Sequence, residues 1–197
     1  MKVTIHKPED FNAMRKAGSL AAEVLDFIAP HVLPGVTTNQ LNDLCHQKII
    51  ENNATPAPLN YKGFPKSICT SINHVVCHGI PDDRSLKNGD IVNIDVTVIL
   101  DGWYGDSSRM YYVGNNVPVK AKLLTKTTYE AMMLGIEQVK PGNTIGDIGY
   151  AIQSYAESQG FSVVRDYCGH GIGRVFHADP NILHYGKPGK GLVLEEG

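Results

Sequence analysis

The sequence predicts an α+β fold in which a helix–helix–strand unit occurs twice. Four segments carry apolar residues at the spacing of an amphipathic helix. Residues 91–100 are predicted to form a strand, because residues 92–98 alternate apolar and polar side chains as a half-buried strand does. Three short motifs also recur in the same order in both halves of the chain. Together, these observations predict two similar halves that share one core.

Two helices are predicted at the start of the chain. Pro8-Glu9-Asp10 is typical of a first helical turn, and apolar residues continue at helical spacing to Ile28. Pro34-Gly35 marks the end of this segment. Thr37 and Gln40 then have the spacing of a capping box, which predicts the start of the second helix.

A strand hairpin is the clearest feature of the middle of the chain. After a short predicted strand at residues 67–73, residues 91–100 and 103–113 are expected to pair across Asp101-Gly102, a two-residue turn signal. In that register Asp95 lies opposite Ser108, and Asp106 points to the same side one diagonal away. A three-residue turn without a bulge would break this parity.

The second half repeats the helical pattern. Residues 119–139 predict a third helix, and Thr144 and Asp147 resemble the cap of a fourth. Residues 161–165 are predicted to form a short strand.

The internal repeat divides the chain into two halves of one domain, residues 1–114 and 115–197. Three pairs of segments match in order: 32–37 with 139–144, 77–80 with 168–172, and 86–89 with 194–197. In the first half, Asp95 follows Gly89 by six residues, so the equivalent carboxylate is expected beyond Gly197. Glu195 and Glu196 align with positions upstream of that carboxylate. The second half is therefore expected to be incomplete at its C-terminus.

Composition excludes several classes of protein. The chain has 197 residues, of which 42% are hydrophobic, and a net charge of −2, which gives no basic field for nucleic acid. No apolar segment approaches the roughly 20 residues of a membrane span. Four cysteines without C-x-x-C spacing predict reduced thiols. We expect a cytoplasmic monomer that binds neither nucleic acid nor membranes.

Five side chains are candidates for metal-dependent chemistry. They are two aspartates and three histidines: Asp95, Asp106, His78, His170 and His177. Carboxylate and imidazole together favour Mn, Fe, Co or Zn, and two such ions could activate a water molecule. The alternation around Asp95 is also typical of a solvated sheet face, so the strand pattern alone leaves both interpretations open.

Other catalytic motifs are weak or missing. The glycine-rich residues 169–173 are not followed by a predicted helix, which argues against dinucleotide binding. A G-x-S-x-G elbow is lacking, which argues against a serine hydrolase. Cys77 adjoins His78, but sequence neighbours on a strand point to opposite faces, so a thiol–imidazole pair is not expected.

Four segments together closely resemble the type I methionine aminopeptidases. They are residues 60–67 (NYKGFPKS), 76–81 (VCHGIP), 89–96 (GDIVNIDV) and 168–173 (CGHGIG). The resemblance extends through essentially the whole chain. It implies the pita-bread fold: two pseudo-symmetric halves with outer helices packed on a curved, mostly antiparallel sheet.

The resemblance also implies a reaction and a metal centre. The expected reaction removes the N-terminal methionine from newly made polypeptides whose second residue is small, using two divalent ions (Co, Mn, Fe or Zn). Asp95 is expected to bind the first ion, Asp106 to bridge both, and His170 to bind the second. Two further glutamate ligands of the family are expected beyond Gly197, so this chain alone is expected to be inactive.

The same resemblance implies substrate contacts. His78 and His177 are expected to contact the peptide and stabilise the tetrahedral intermediate. The methionine side chain is expected to lie against Tyr61, Phe64, Cys69 and Phe176. Phe64 stands where many relatives have tyrosine, so it lacks a hydroxyl.

Two alternatives share the expected fold. One is a pita-bread protein that binds partners without catalysis, which would have lost metal ligands, whereas Asp95, Asp106 and His170 are all present. The other is a proline-specific dipeptidase or aminopeptidase, against which the loop motifs at residues 60–67 and 76–81 argue.

Overall fold

The computed structural model describes residues 3–197, which form two compact units. The hairpin unit contains residues 9–118 and 173–176, and the C-terminal unit contains the described residues 3–8, 119–172 and 177–197. No helix in the described part of the chain is both long and apolar enough to cross a membrane. The predicted division into 1–114 and 115–197 stays a prediction.

Two helices begin the hairpin unit, as predicted. Helix α1 spans Pro8–Ile28 and continues as a 3₁₀ turn at Ala29–His31, and α2 spans Thr38–Glu51. The predicted capping box is confirmed, because the Thr37 hydroxyl accepts a hydrogen bond from the Gln40 amide and the Gln40 side chain accepts one from the Thr37 amide at 2.8 Å.

Four antiparallel strands form the sheet of the hairpin unit. They are β1 (Thr55–Pro56), β2 (Cys69–Ile72), β3 (Ile91–Leu100) and β4 (Trp103–Tyr112). Strands β1 and β2 pair with successive parts of β3, and β4 pairs along its whole length. The two-residue turn is confirmed, with φ of +52° at Asp101 and +78° at Gly102. These positive values match the strand twist and suit an Asp-Gly pair.

Alternation along β3 separates the hydrophobic core from a polar face. Val92, Ile94, Val96 and Val98 are buried in one cluster with apolar residues of α1 and α2. Because strand neighbours point to opposite faces, the polar residues between them project away from the helices. This polar face carries Asp95.

The C-terminal unit contains two helices and a small strand pair. Helix α3 spans Val119–Ile136, and α4 spans Ile145–Ser158 behind the predicted Thr144 cap. The predicted strand at residues 161–165 is wrong, since these residues adopt no regular structure. The two strands of this unit, β5 (Gly169–Gly171) and β6 (Ala178–Ile182), pair antiparallel with an irregularity after His170.

The repeated motifs make equivalent hydrogen bonds in the two units. The amide of Gly35 donates to the carbonyl of Leu86 at 2.8 Å, and that of Gly142 donates to the carbonyl of Leu194 at 2.9 Å. The residue after each glycine accepts a bond in return from the amide of the same leucine, at 2.9 and 2.8 Å. Both glycines have a φ of +92°, a conformation that L side chains rarely adopt. The repeated sequence thus corresponds to a repeated local structure.

Candidate active site

The two aspartates of the hairpin lie on one face of the sheet. Asp95 on β3 is opposite Ser108, and Asp106 on β4 is opposite Thr97, which is the diagonal arrangement predicted from the two-residue turn. The Thr97 hydroxyl donates a hydrogen bond to Asp106 Oδ1 at 2.9 Å, and the two carboxyl groups are themselves hydrogen bonded. The two side chains therefore meet as a pair.

Enclosure of this pair changes the protonation of Asp95. Burial of its carboxyl group, followed by the negative charge of Asp106 and the hydrogen bond between them, raises the pKa of Asp95 to about 7. Like charges held together at a partly desolvated site favour a shared proton. A divalent cation between the two groups could replace that proton and relieve the repulsion, so the carboxylates fit a metal ion.

Two cysteines lie beside the carboxylates without acting as thiolates. Cys69 on β2 is opposite Asp95. Burial, and then the charges of Asp95 and Asp106, raise the pKa of the Cys69 thiol to about 12. Burial and the charge of Asp95 also raise the pKa of Cys77. Both thiols are thus protonated at neutral pH, which argues against a cysteine nucleophile.

Three aromatic rings form a cluster in the hairpin unit. Phe176 is buried between Tyr61, with ring centroids 4.9 Å apart, and Tyr104, whose ring stacks on it at 5.4 Å and 22°. Tyr61 lies in a 3₁₀ turn, Tyr61–Gly63, and half-buried Phe64 follows that turn directly. The cluster offers an apolar surface of the kind that binds an unbranched hydrophobic side chain.

His78 lies on the loop between β2 and β3 in an unusual backbone conformation. Its φ is +56°, and the side chain is exposed. The next residue, Gly79, accepts a hydrogen bond from the Thr70 amide at 2.8 Å. A Cβ atom at Gly79 would lie 2.1 Å from the Thr70 carbonyl oxygen, so only glycine fits there. This close approach holds the loop segment that carries His78 against β2.

The other two candidate histidines meet in the C-terminal unit. The rings of His170 and His177 have centroids 4.4 Å apart. They line a cavity of about 330 Å³ together with Cys168, Ala178, Asp179 and Asn181. His170 Nδ1 is 2.8 Å from the carbonyl oxygen of Gly171. Because a carbonyl oxygen only accepts, Nδ1 carries a proton in this contact, and Nε2 is the nitrogen through which the neutral ring would bind a metal ion.

The five candidate residues therefore fall into separate groups. Asp95, Asp106 and His78 belong to the hairpin unit, and His170 and His177 belong to the C-terminal unit. Within residues 3–197, no three His, Cys, Asp or Glu side chains are grouped as a metal site by themselves. The carboxylate oxygens of the first group and the imidazole nitrogens of the second are both ligand types of divalent ions. That these residues bind metal together stays a prediction.

Sequence reasoning missed two residues of the site. Thr97 could have been found, because it lies two residues after Asp95 on the same face and is paired with Asp106. Tyr104 has a weaker signal, since only the contact with Phe176, 72 positions later in the chain, brings it into the aromatic cluster.

Residues 12–197 match the model of metallopeptidase family M24. The methionine aminopeptidase of Rickettsia prowazekii (strain Madrid E) is 72% identical over 197 residues, which are 100% of this chain and 76% of that protein. A crystal structure of methionine aminopeptidase from Rickettsia prowazekii superimposes with a TM-score of 0.98 at 71% identity, covering 100% of this chain and 79% of that one.

A more distant structure supports the fold alone. The prolidase from Pyrococcus furiosus matches with a TM-score of 0.81 at 21% identity, over 98% of this chain and 55% of its own. The expected pita-bread fold is confirmed by these neighbours together with the α+β architecture. The family match covers nearly the whole chain and includes both aspartates and all three candidate histidines described above. The chain therefore belongs to metallopeptidase family M24.

Proposed function

We propose that the protein is a methionine aminopeptidase, which removes the N-terminal methionine from newly made proteins whose second residue is small. The observation that carries the proposal is the Asp95–Asp106 pair, because two hydrogen-bonded carboxyl groups on one sheet face suit divalent metal ions. The 72% identity to a methionine aminopeptidase over the full length of the chain supports it. The protein would act as a monomer in the cytoplasm, where nascent chains are made.

Two divalent ions, Co, Mn, Fe or Zn, would be held partly by three residues of this chain. Asp95 would bind the first ion, Asp106 would bridge both, and His170 would bind the second through Nε2. When bound, such ions lower the pKa of water and polarise a peptide carbonyl. The hydrogen bond from Thr97 would hold the Asp106 carboxylate in a fixed orientation.

The remaining site residues would bind and orient the peptide. His78 and His177 would donate hydrogen bonds to the carbonyl oxygen of the methionine residue as it gains negative charge, which stabilises the tetrahedral intermediate. Tyr61, Phe64, Cys69 and Phe176 would surround the methionine side chain. A protonated Cys69 thiol suits this role, because it is a small and weakly polar surface.

The proposal is tested by a panel of short peptides that differ at one position. The full-length protein, reconstituted with Mn²⁺ or Co²⁺, should release methionine from a Met-Ala peptide and much less from a Met-Leu peptide. Release is measured by chromatography of the products. Chelation of the metal should abolish it, and added metal should restore it.

An Ala-Pro peptide is the control for the proline-specific alternative. Cleavage of Ala-Pro with no cleavage of Met-Ala would assign the protein to that class instead. Tight binding of Met-Ala without any product, in protein that has bound metal, would indicate a non-catalytic relative.

A further inference from the structure

The segment that carries Phe176 contacts the turn end of the β3–β4 hairpin through Arg174, a residue that has no role in the proposed reaction. We propose that Arg174 is a positioning residue, which holds Phe176 against Tyr104 and so determines how tightly the site binds a methionine side chain. This inference rests on the proposed function, because it assigns Phe176 to the methionine-binding surface.

The short segment that carries Phe176 is attached to the hairpin by its backbone. Residues 173–176 belong to the hairpin unit, although the residues on either side of them belong to the C-terminal unit. The Tyr104 amide donates a hydrogen bond to the Gly173 carbonyl at 2.9 Å. One strand residue therefore holds both ends of the segment, through its amide at Gly173 and through its ring at Phe176.

Arg174 supplies a second attachment on the neighbouring strand residue. Its guanidinium carbon lies 4.4 Å from the centroid of the Trp103 ring, within the range of a cation–π interaction. Trp103 is only 4% exposed, whereas Arg174 is exposed, so the arginine covers the indole from solvent. A Cβ atom at Gly102 would lie 3.2 Å from Arg174 Nη1, which places the guanidinium over the turn itself.

The two attachments lie on opposite faces of β4. Trp103 and Tyr104 are consecutive strand residues, so their side chains point to opposite sides. Arg174 contacts the first and Phe176 contacts the second, so the segment wraps around the end of the strand. Loss of the Arg174 contact would remove one of the attachments that hold the segment carrying Phe176 to the hairpin. The ring would then sample more positions, and the site would bind methionine more weakly.

Three variants of the full-length protein test this inference. Arg174→Met keeps the length of the side chain and removes its charge, and Arg174→Lys keeps a charge. Arg165→Met is the matched control, because Arg165 makes the same kind of contact, 4.3 Å from the ring of Tyr185, which belongs to the C-terminal unit and is not a member of the aromatic cluster. Since an exposed cation–π contact is weak, Arg174→Met should raise KM for a Met-Ala peptide roughly two- to fivefold with little change in kcat.

The control and the conservative variant separate positioning from a general structural role. Arg165→Met should leave KM unchanged, and Arg174→Lys should recover most of the wild-type KM. Trp103 is the only tryptophan among residues 1–197. The emission of Arg174→Met should shift to longer wavelength relative to the wild type, as this indole becomes exposed, and Arg165→Met should show no such shift. In a Phe176→Ala background, Arg174→Met should change KM no further, because its effect passes through that ring.

Each other outcome has a defined meaning. A wild-type KM in Arg174→Met would overturn the inference while leaving the proposed function intact. A fall in kcat at constant KM would also overturn it, because that result indicates a loss of active protein. Failure of the wild-type protein to release methionine would overturn the proposed function and this inference together.

Discussion

Asp95 is an aspartate within a strand, where this residue type is depleted, and its carboxyl group lowers the stability of the fold when it is charged. Its carboxyl group is enclosed beside Asp106, and the resulting repulsion raises its pKa to about 7. A group whose pKa lies this far above its usual value destabilises the fold wherever it must be charged. Such a cost is common at sites that bind a cation, because the ion removes it. If Asp95 binds a metal ion as proposed, the protonation of this one side chain links the stability of the hairpin to metal binding.

This cost predicts a pH dependence in the metal-free protein. Between about pH 4, near the pKa of an unfolded aspartate, and about pH 7, the native state holds a proton at Asp95 that the unfolded state has released. The contribution of Asp95 to the free energy of unfolding of the wild-type protein therefore falls as pH rises through that window. Asparagine does not ionise, so Asp95→Asn lacks this pH dependence. The free energy of unfolding of the variant minus that of the wild type should therefore increase from about pH 4 to about pH 7 and level off above pH 7. Urea denaturation in the presence of a chelator measures this difference, and a difference that did not vary with pH would contradict it.

His177 is predicted to contact substrate and not metal. His177→Ala in the full-length protein should therefore reduce turnover of a Met-Ala peptide while the bound metal stays near the wild-type amount. One lost hydrogen bond to a developing negative charge typically costs on the order of 100-fold in kcat. Metal analysis and kinetics on the same preparation provide the test. Loss of metal together with activity would instead identify His177 as a ligand.

The secondary structure elements differ in how far the sequence determines them. The β3–β4 hairpin agrees with its prediction almost to the residue, because seven alternating residues, 92–98, and an Asp-Gly turn specify both register and face. Strands β5 and β6 have only three and five residues. The two glycines of β5 and Pro180 of β6 belong to residue types that are depleted in strands, so the local sequence does not predict either strand. Residues 161–165 contain β-branched side chains, yet they adopt no regular structure, and Val164 is exposed. Neither outcome follows from the local preferences of the residues concerned.

Two helical glycines provide a matched test of the packing around the helices. A Cβ atom at Gly149 in α4 would lie 2.3 Å from the carbonyl oxygen of Tyr185, whereas a Cβ atom at Gly18 in α1 would meet nothing within 4 Å. Gly149→Ala should therefore destabilise the protein by about 1–3 kcal/mol, because a backbone segment must move. Gly18→Ala should be neutral or stabilising by up to about 1 kcal/mol, from helix propensity alone. Thermal denaturation compares the two, and equal effects would contradict the close packing of α4.

At the scale of the whole molecule, the internal repeat in the sequence corresponds to repeated local structure in the two units. The motifs at residues 32–37 and 139–144 make the same backbone hydrogen bonds to their partners in the two units. These bonds explain why the motifs recur, since each requires a glycine with positive φ and a cap threonine. The paired aspartates could also be predicted, since the strand period fixes their face. The aromatic cluster could not be predicted in the same way, because Phe176 is far from Tyr61 and Tyr104 in the sequence and contacts them only in the folded structure.

The central claim is that the Asp95–Asp106 pair holds the metal on which methionine release depends. It is tested most directly by the metal content and Met-Ala turnover of Asp106→Asn in the full-length protein. Asp101→Asn is the matched control, because it makes the same change in the turn of the same hairpin, where asparagine tolerates a φ of +52°. We expect Asp106→Asn to lose both bound metal and activity, and Asp101→Asn to keep both. Wild-type metal content and turnover in Asp106→Asn would contradict the account.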